Sequence, residues 1–187
     1  MLIVNTTKMT ARQFLELGED PPGVRLELVD GEVAVSPSPV PDHSHVVLNL
    51  SAILLQHVKA KRLGRVYSDV DTLVSSHDVR RPDILFFSTE KLKLVGKKAM
   101  EGPPDLCVEV ISPSSATIDR VDKYEQYQSF GVGHYWIVDP DHRTIEAHRL
   151  VGGVYQPAGN GRDSDVVRLP PFEDLETPLG EIWPPES

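Results

Sequence analysis

The sequence predicts a domain of the α/β (α+β) class, in which helices flank a central mixed β-sheet. A long amphipathic segment precedes four apolar segments of strand length, and a second helical segment lies between the third and fourth of these. The length of 187 residues is that of one globular domain, and 40% hydrophobic and 25% charged residues are ordinary for such a domain. We therefore expect residues 1–187 to form a single domain.

The N-terminal part predicts a short helix followed by a β-hairpin. Thr10 and Gln13 have the spacing of a capping box, and the helix should end at Gly18. Two alternating segments then flank Asp30-Gly31, a strong hairpin signal: Val24–Leu28 and Val33–Val35. Within the first segment, Arg25 and Glu27 should share one face.

The middle of the chain predicts one long helix and four strands. Apolar residues recur at three- and four-residue spacing over residues 43–62, which indicates an amphipathic helix ended by Gly64. The predicted strands are Arg65–Val74, Asp83–Phe87, Leu106–Ile111 and Tyr135–Val138. A loop over Ser112–Thr117 and a helix over Ile118–Phe130 should connect the last two. The chain then predicts a hairpin, Arg143–Leu150 with Val154–Gln156, and a late strand at Val166–Leu169.

Composition excludes several classes of protein. The longest apolar runs fall well short of 18 residues, so we expect neither a membrane span nor a membrane partner. The single cysteine, Cys107, excludes an internal disulfide and a zinc site built from cysteines, which favours the reducing cytoplasm. The chain lacks GxxxxGK[ST], GxGxxG and HExxH, which argues against nucleotide-loop, dinucleotide and zincin chemistry.

The charge distribution is uneven. Lys and Arg number 19 against 28 Asp and Glu, for a net charge of −9, which is unfavourable for binding a polyanion. Basic residues gather in two segments, however, Lys59–Arg65 and Arg80–Lys98. These segments predict a basic strip beside a cleft, or else ordinary solvated lysines on turns and helix faces.

Two acidic residues stand in apolar strands. Asp83 opens the strand Ile84–Phe87, and Glu109 lies inside Leu106–Ile111. A buried carboxylate must be paired, hydrogen-bonded or bound to a metal. The pair therefore predicts either a Mg²⁺ site or a salt bridge, for example of Glu109 with Arg81 or Lys123. Glu27 is a third acid on an apolar strand.

The second helix and the start of the first carry further candidates. Arg120, Lys123 and Tyr127 have helical spacing and should face the strand that ends at Ile111; alternatively, Lys123 forms only a surface pair with Asp119. His43 stands near a helix N-terminus, where it could bind a phosphate or act as an acid or base, or be an ordinary polar residue of the first turn.

Six ordered motifs resemble one known family. They are LELVDGE at 26–32, Ser-Pro with His43, RPDI at 81–84, PDLCVEVISPS at 104–114, DRVDKYEQY at 119–127 and YWIVDP at 135–140. Together they resemble the putative restriction endonuclease family, an abundant bacterial group of the PD-(D/E)XK nuclease superfamily. The resemblance covers roughly residues 10–150, which would be a nuclease-like core, with 151–187 as a C-terminal extension packing on it.

The resemblance implies a restriction-endonuclease-like core with a catalytic set of four residues. Asp83 and Glu109 match the two acids of the motif, and Glu27 matches an additional upstream acid. The motif lysine would fall at Ile111, and Lys123 from the following helix would replace it.

The resemblance further implies metal-dependent hydrolysis of DNA. Asp83, Glu109 and the backbone carbonyl of Val110 would bind Mg²⁺ or Mn²⁺. His43, Arg81, Arg120 and Tyr127 would contact phosphate or support the site. A homodimer or larger assembly would supply two active sites for two strands. The alternative is a catalytically inactive nuclease-fold protein that binds nucleic acid or a protein partner.

Overall fold

The computed structural model describes residues 8–112 and 118–185. Its helices are α1 (Ala11–Phe14), α2 (Pro41–Lys61) and α3 (Tyr124–Phe130), with 3-10 turns at Thr89–Leu94 and Leu179–Glu181 and a π-helical segment at Ile118–Lys123. The strands are β1 (Val24–Val29), β2 (Glu32–Pro37), β3 (Gly64–Ser68), β4 (Thr72–Leu73), β5 (Val79–Arg80), β6 (Ile84–Ser88), β7 (Leu106–Val110), β8 (His134–Asp139), β9 (Thr144–Val151), β10 (Val154–Arg162), β11 (Val166–Val167) and β12 (Thr177–Pro178). The loop expected over Ser112–Thr117 lies, beyond Ser112, outside the described residues.

The main sheet has the strand order β10-β9-β8-β7-β6-β3. Neighbouring strands are antiparallel except for β7 and β8, which are parallel and joined through the helical segment. This arrangement confirms the predicted mixed sheet flanked by helices, because a parallel pair requires a crossover connection.

The long helix α2 covers one face of this sheet. Val46, Leu50, Leu54 and Val58 are fully buried at four-residue spacing, as the sequence pattern predicts. They pack with Ile84, Phe86, Trp136 and apolar residues of the last part of the chain. The opposite face packs with α3, mainly through Leu85, Phe87, Tyr127 and Tyr135.

The prediction of one continuous strand over Arg65–Val74 is wrong, because this segment forms two separate strands, β3 and β4. Asp69 has a positive φ of 58°, which turns the chain between β3 and β4. As a result, β3 pairs with β6 in the main sheet, whereas β4 enters a small sheet of order β2-β1-β5-β4. The predicted N-terminal hairpin is β1 and β2 of this small sheet.

Other boundaries also differ from expectation. Helix α1 ends at Phe14 instead of reaching Gly18. Strand β10 extends to Arg162 instead of Gln156, with an irregularity between Pro157 and Gly159 that lets the pairing with β9 continue. The late strand is only β11, Val166–Val167, and it pairs with β12. Within the described residues, no helix is both long enough and apolar enough to cross a membrane.

Candidate active site

The register of β6 and β7 brings Asp83 and Glu109 together. Ile84 pairs with Val108 in this antiparallel ladder, so Asp83 and Glu109 occupy the next position toward the start of β6. Alternation along each strand turns both carboxylates to the face packed against α3. Asp83 is 4% exposed and Glu109 is 2% exposed, and both line one cavity of about 290 Å³.

The Asp83 carboxylate has partners on both oxygens. Arg25 Nη1 lies 3.2 Å from Oδ1, while His43 Nε2 lies 3.2 Å from Oδ2 and the Val110 N–H donates to the same oxygen at 2.8 Å. Burial opposes ionisation, but His43, Lys123 and Arg25 together hold the pKa of this carboxyl below its ordinary value. Asp83 is therefore an anion held in place by protein donors.

The Glu109 carboxylate is equally well held, but its pKa is shifted in the opposite direction. Tyr127 donates its hydroxyl to Oε1 at 2.7 Å, and Lys123 Nζ lies 3.0 Å from Oε2. Burial raises the pKa of Glu109 to about 8, against the opposing effect of Lys123. The neighbouring carboxylates of Asp119, Asp83 and Glu27 add to the rise in pKa.

The π-helical segment Ile118–Lys123 supplies one cation, Lys123, to several acids. Lys123 Nζ lies 2.9 Å from Asp119 Oδ1 as well as 3.0 Å from Glu109. Both lysine contacts considered from the sequence are thus present, but the pair with Asp119 is buried rather than on the surface. Burial opposes the charged form, yet Glu109 and the other carboxylates raise the pKa of Lys123 above its ordinary value, so it stays protonated.

Glu27 lines the same cavity from β1 of the small sheet. Arg80 Nη1 lies 2.9 Å from its Oε2, and the backbone N–H of Arg81 donates to its Oε1 at 2.8 Å. Burial is outweighed by Lys123 and Arg80, which hold the pKa of Glu27 below its usual range. This carboxylate is ionised.

Two predicted side chains do not reach the cavity. The Arg81 guanidinium pairs with Asp20 and Asp71, because successive residues of an extended chain point to opposite sides and Arg80 takes the inward direction. Arg120 pairs with Glu146 at 2.6 Å instead of approaching Glu109. The wider turn of the π-helical segment removes the three-residue alignment of Arg120 with Lys123, whereas Tyr127 does reach Glu109.

The lysines and arginines of the two basic segments do not line the cavity either. Lys59 and Lys61 lie at the end of α2 opposite to His43, about 24–27 Å away at 1.5 Å per residue. Arg80 is buried against Glu27, and Lys91 pairs with Asp105. The predicted basic strip beside the cleft is wrong for these residues, since helix length and internal ion pairs decide where the charges point.

Sequence reasoning missed two members of the site. Arg25 contacts Asp83, and its only local signal was the shared strand face with Glu27. Asp119 is buried beside Lys123, although the pattern equally fitted a surface pair. Both placements depend on contacts between elements distant in sequence.

The donor set fits a hard divalent cation with few protein ligands. Asp83 and Glu109 have carboxylate oxygens that can bind such an ion. Val110 lines the same cavity, and its backbone carbonyl is a further oxygen ligand of the type that Mg²⁺ accepts. Four acidic residues, Glu27, Asp83, Glu109 and Asp119, line this cavity, so additional positive charge would be accommodated. Across residues 8–112 and 118–185, however, no group of three His, Cys, Asp or Glu side chains is arranged to hold a metal.

Comparison with known proteins places this arrangement in a family. The chain is 24% identical over 155 residues to an uncharacterized protein, sll1609, of Synechocystis sp. (strain ATCC 27184 / PCC 6803 / Kazusa), covering 81% of this chain and 87% of that protein. The crystal structure of a putative nuclease belonging to DUF820, from Anabaena variabilis ATCC 29413, has the same fold with a TM-score of 0.75. It is 20% identical, and the match covers 94% of this chain and 97% of that one.

The family Uma2, described as "Putative restriction endonuclease", matches residues 11–180. That range includes all twelve strands given above, the cavity and all of the acids around Lys123. The chain therefore belongs to this family.

Proposed function

We propose that this protein is a metal-dependent endonuclease that hydrolyses phosphodiester bonds of DNA. One observation carries the proposal: Asp83 and Glu109 are buried side by side facing one cavity, with Lys123 3.0 Å from Glu109. Membership of a family of putative restriction endonucleases supports a nuclease, and so does the likeness to the putative nuclease from Anabaena variabilis. Self-association as a homodimer would provide one such site for each strand of a duplex.

Asp83, Glu109 and the Val110 carbonyl would hold Mg²⁺ or Mn²⁺. When bound, the ion would lower the pKa of a water molecule and offset the charge that develops on the phosphate. The remaining chemistry belongs to residues already in place. Tyr127 fixes Glu109 by donating to Oε1, and His43 with Arg25 fixes Asp83.

Lys123 has a defined role in this proposal. Because neighbouring carboxylates raise its pKa, it carries its proton at neutral pH and donates hydrogen bonds rather than accepting a proton. It would orient the attacking water and stabilise charge on the phosphate. Glu27, whose pKa is lowered, is an ionised acceptor that lines the same cavity.

Cleavage of supercoiled plasmid tests the proposal. The purified protein should nick or linearise the plasmid with Mg²⁺ or Mn²⁺ and stop when EDTA is added. Asp83→Asn and Glu109→Gln should each abolish the reaction, whereas Asp141→Asn, an exposed acid outside the cavity, should not change it. Cleavage that persists in both site variants would contradict the proposal.

A second candidate is a nuclease-fold protein that binds nucleic acid or a protein partner without cutting. It is favoured by the protein partners that already engage both oxygens of Asp83 and both oxygens of Glu109. Filter binding of DNA at low and high salt, combined with an absence of cleavage, would support it. Binding to DNA should weaken steeply as salt is raised.

A further inference from the structure

Protein groups already occupy the surroundings of Asp83. Arg25 stands at Oδ1, and His43 stands at Oδ2 together with the Val110 N–H. A guanidinium is charged at every physiological pH, so Arg25 neutralises this carboxylate permanently unless it moves. A divalent cation approaching Oδ1 meets this positive charge.

Arg25 lies at a boundary between two cavities. The cavity of about 290 Å³ and a second one of about 430 Å³ share Arg25, Pro39, His43 and Asp83 in their linings. The Arg25 side chain is 18% exposed, far less than is usual for a surface arginine. Its position in the wall gives it room on the side of the second cavity.

Arg25 also has a second carboxylate partner. Its Nη2 pairs with Asp69, which lies in the tight turn after β3. The Asp69 side chain is 59% exposed. Asp69 lines only the second cavity of the two, whereas Asp83 lines both. The guanidinium is thus shared between a buried acid of the site and an acid at the surface.

We infer that Arg25 is a positioning residue that competes with the divalent cation for Asp83, and that Asp69 retains Arg25 when the cation binds. The Arg25–Asp69 pair then sets the metal affinity of the site. This inference rests on the proposed function, because it assumes that Asp83 is a metal ligand. It requires no new bond, only the exchange of one ionic partner of Asp83 for another.

Titration calorimetry with Mn²⁺ alone tests this on four proteins: the natural chain, Arg25→Met, Asp69→Asn and the double variant. Removing the competing charge in Arg25→Met should tighten Mn²⁺ binding by about tenfold or more, because the repulsion between two nearby cations is lost. Asp69→Asn should weaken it severalfold, because Arg25 then pairs with Asp83 alone. In the Arg25→Met background, Asp69→Asn should have no effect, since the competitor is gone.

Matched variants separate this from general electrostatics. Asp71→Asn removes a comparable charge that pairs with Arg81 and lies outside both cavities, so it should leave the Mn²⁺ affinity unchanged. Arg25→Lys keeps a charge that cannot span two carboxylates and should give an intermediate affinity; it carries the test if Arg25→Met fails to fold. Circular dichroism checks folding in each case.

The outcomes are distinct. Equal or weaker Mn²⁺ binding by a folded Arg25→Met protein would overturn the inference and leave the proposed function standing. The inference would also be overturned if Asp69→Asn lowered the Mn²⁺ affinity equally in the natural chain and in Arg25→Met. Asp69 would then act only as a general surface charge. Failure of both the natural chain and Arg25→Met to bind Mn²⁺ would instead remove the metal dependence on which the proposed function depends.

Discussion

At the level of single residues, the site is a buried cluster of acids with too few cations. The pKa of a single lysine, Lys123, is raised by four neighbouring acids: Asp83, Glu109, Asp119 and Glu27. The cluster can be accommodated because each carboxylate has a hydrogen-bonding or ionic partner and because Glu109 is able to take up a proton. Substitutions in this cluster should therefore affect both stability and chemistry.

Lys123→Ala should reduce metal-dependent cleavage by about a hundredfold or more, because the donor beside Glu109 is lost. It should also lower the free energy of unfolding by about 3 kcal/mol, since buried acids lose their partner. Lys123→Arg should recover most of the stability. Plasmid cleavage and urea denaturation are the measurements, and Lys93→Ala, an exposed lysine, is the control. Unchanged cleavage in Lys123→Ala would return the residue to a purely structural role.

Glu109 should make the metal-free protein less stable as pH rises from about 5 to about 8. Its folded pKa of about 8 is above the ordinary value of 4.5, so in this window the folded chain binds more protons than the unfolded chain. The slope from this group is at most about 1.4 kcal/mol per pH unit. Denaturation in EDTA at several pH values measures it.

The control for this pH dependence is Glu109→Gln, which cannot titrate and should show a flatter dependence over the same window. Stability curves of the two proteins that run parallel from pH 5 to 8 would contradict the assignment of the slope to Glu109.

At the level of helices and strands, two irregular features decide which residues meet. The π-helical segment directs Lys123 and Asp119 inward while Arg120 turns to Glu146. The junction between α2 and β3 sets the position of β3 beside β6, with Gly64 paired to Ser88. The helix ends with Arg62 in the left-handed region, which starts the turn.

Gly64→Ala should lower the free energy of unfolding by more than about 2 kcal/mol. Gly64 has a φ of 152°, and a Cβ there would lie 2.0 Å from the Phe87 carbonyl oxygen, so the edge strand would have to shift. Gly152→Ala is the matched control: its φ is 61°, it has open space around it, and it should cost only about 1 kcal/mol. Thermal denaturation compares them, and equal losses would show that the close contact is unimportant.

Over the molecule as a whole, the last part of the chain completes the core over α2. Leu169, Phe172, Leu179, Ile182 and Trp183 are buried beside the helix and the main sheet. The Trp136 Nε1–H, from the centre of the sheet, donates to the Pro170 carbonyl at 2.8 Å. We propose that the residues after 150 belong to the same folding unit as the nuclease-like core.

Removing residues 163–187 should therefore abolish cooperative unfolding. Each large apolar side chain contributes about 1.5–3 kcal/mol when buried, and five such losses equal the whole stability of a typical domain, about 5–15 kcal/mol. Removing only 184–187, which retains Trp183, should leave the transition nearly unchanged. Circular dichroism during thermal denaturation is the measurement, and a cooperative transition in the shorter chain would show that the core folds without these residues.

Elements with strong local signals could be predicted from the amino-acid sequence. The four-residue spacing of Val46, Leu50, Leu54 and Val58 depends only on neighbours in one helix, and the turn at Asp30-Gly31 depends on two residues. The acids Asp83 and Glu109 were visible because a charged residue in an apolar strand is conspicuous in any local window. Glu27 and Lys123 were candidates from the same kind of local pattern, and the order of the motifs then gave them catalytic roles.

The partners of these residues, in contrast, were settled by tertiary packing. The alignment of Asp83 with Glu109 depends on the register between two strands, and the contact of Arg25 with Asp83 joins two different sheets. The break at Asp69, the outward direction of Arg81 and Arg120, and the burial of Asp119 likewise follow from packing between distant segments. These placements leave few buried charges unpaired in the folded molecule. A short stretch of sequence does not show which distant residue will supply the partner of a buried charge.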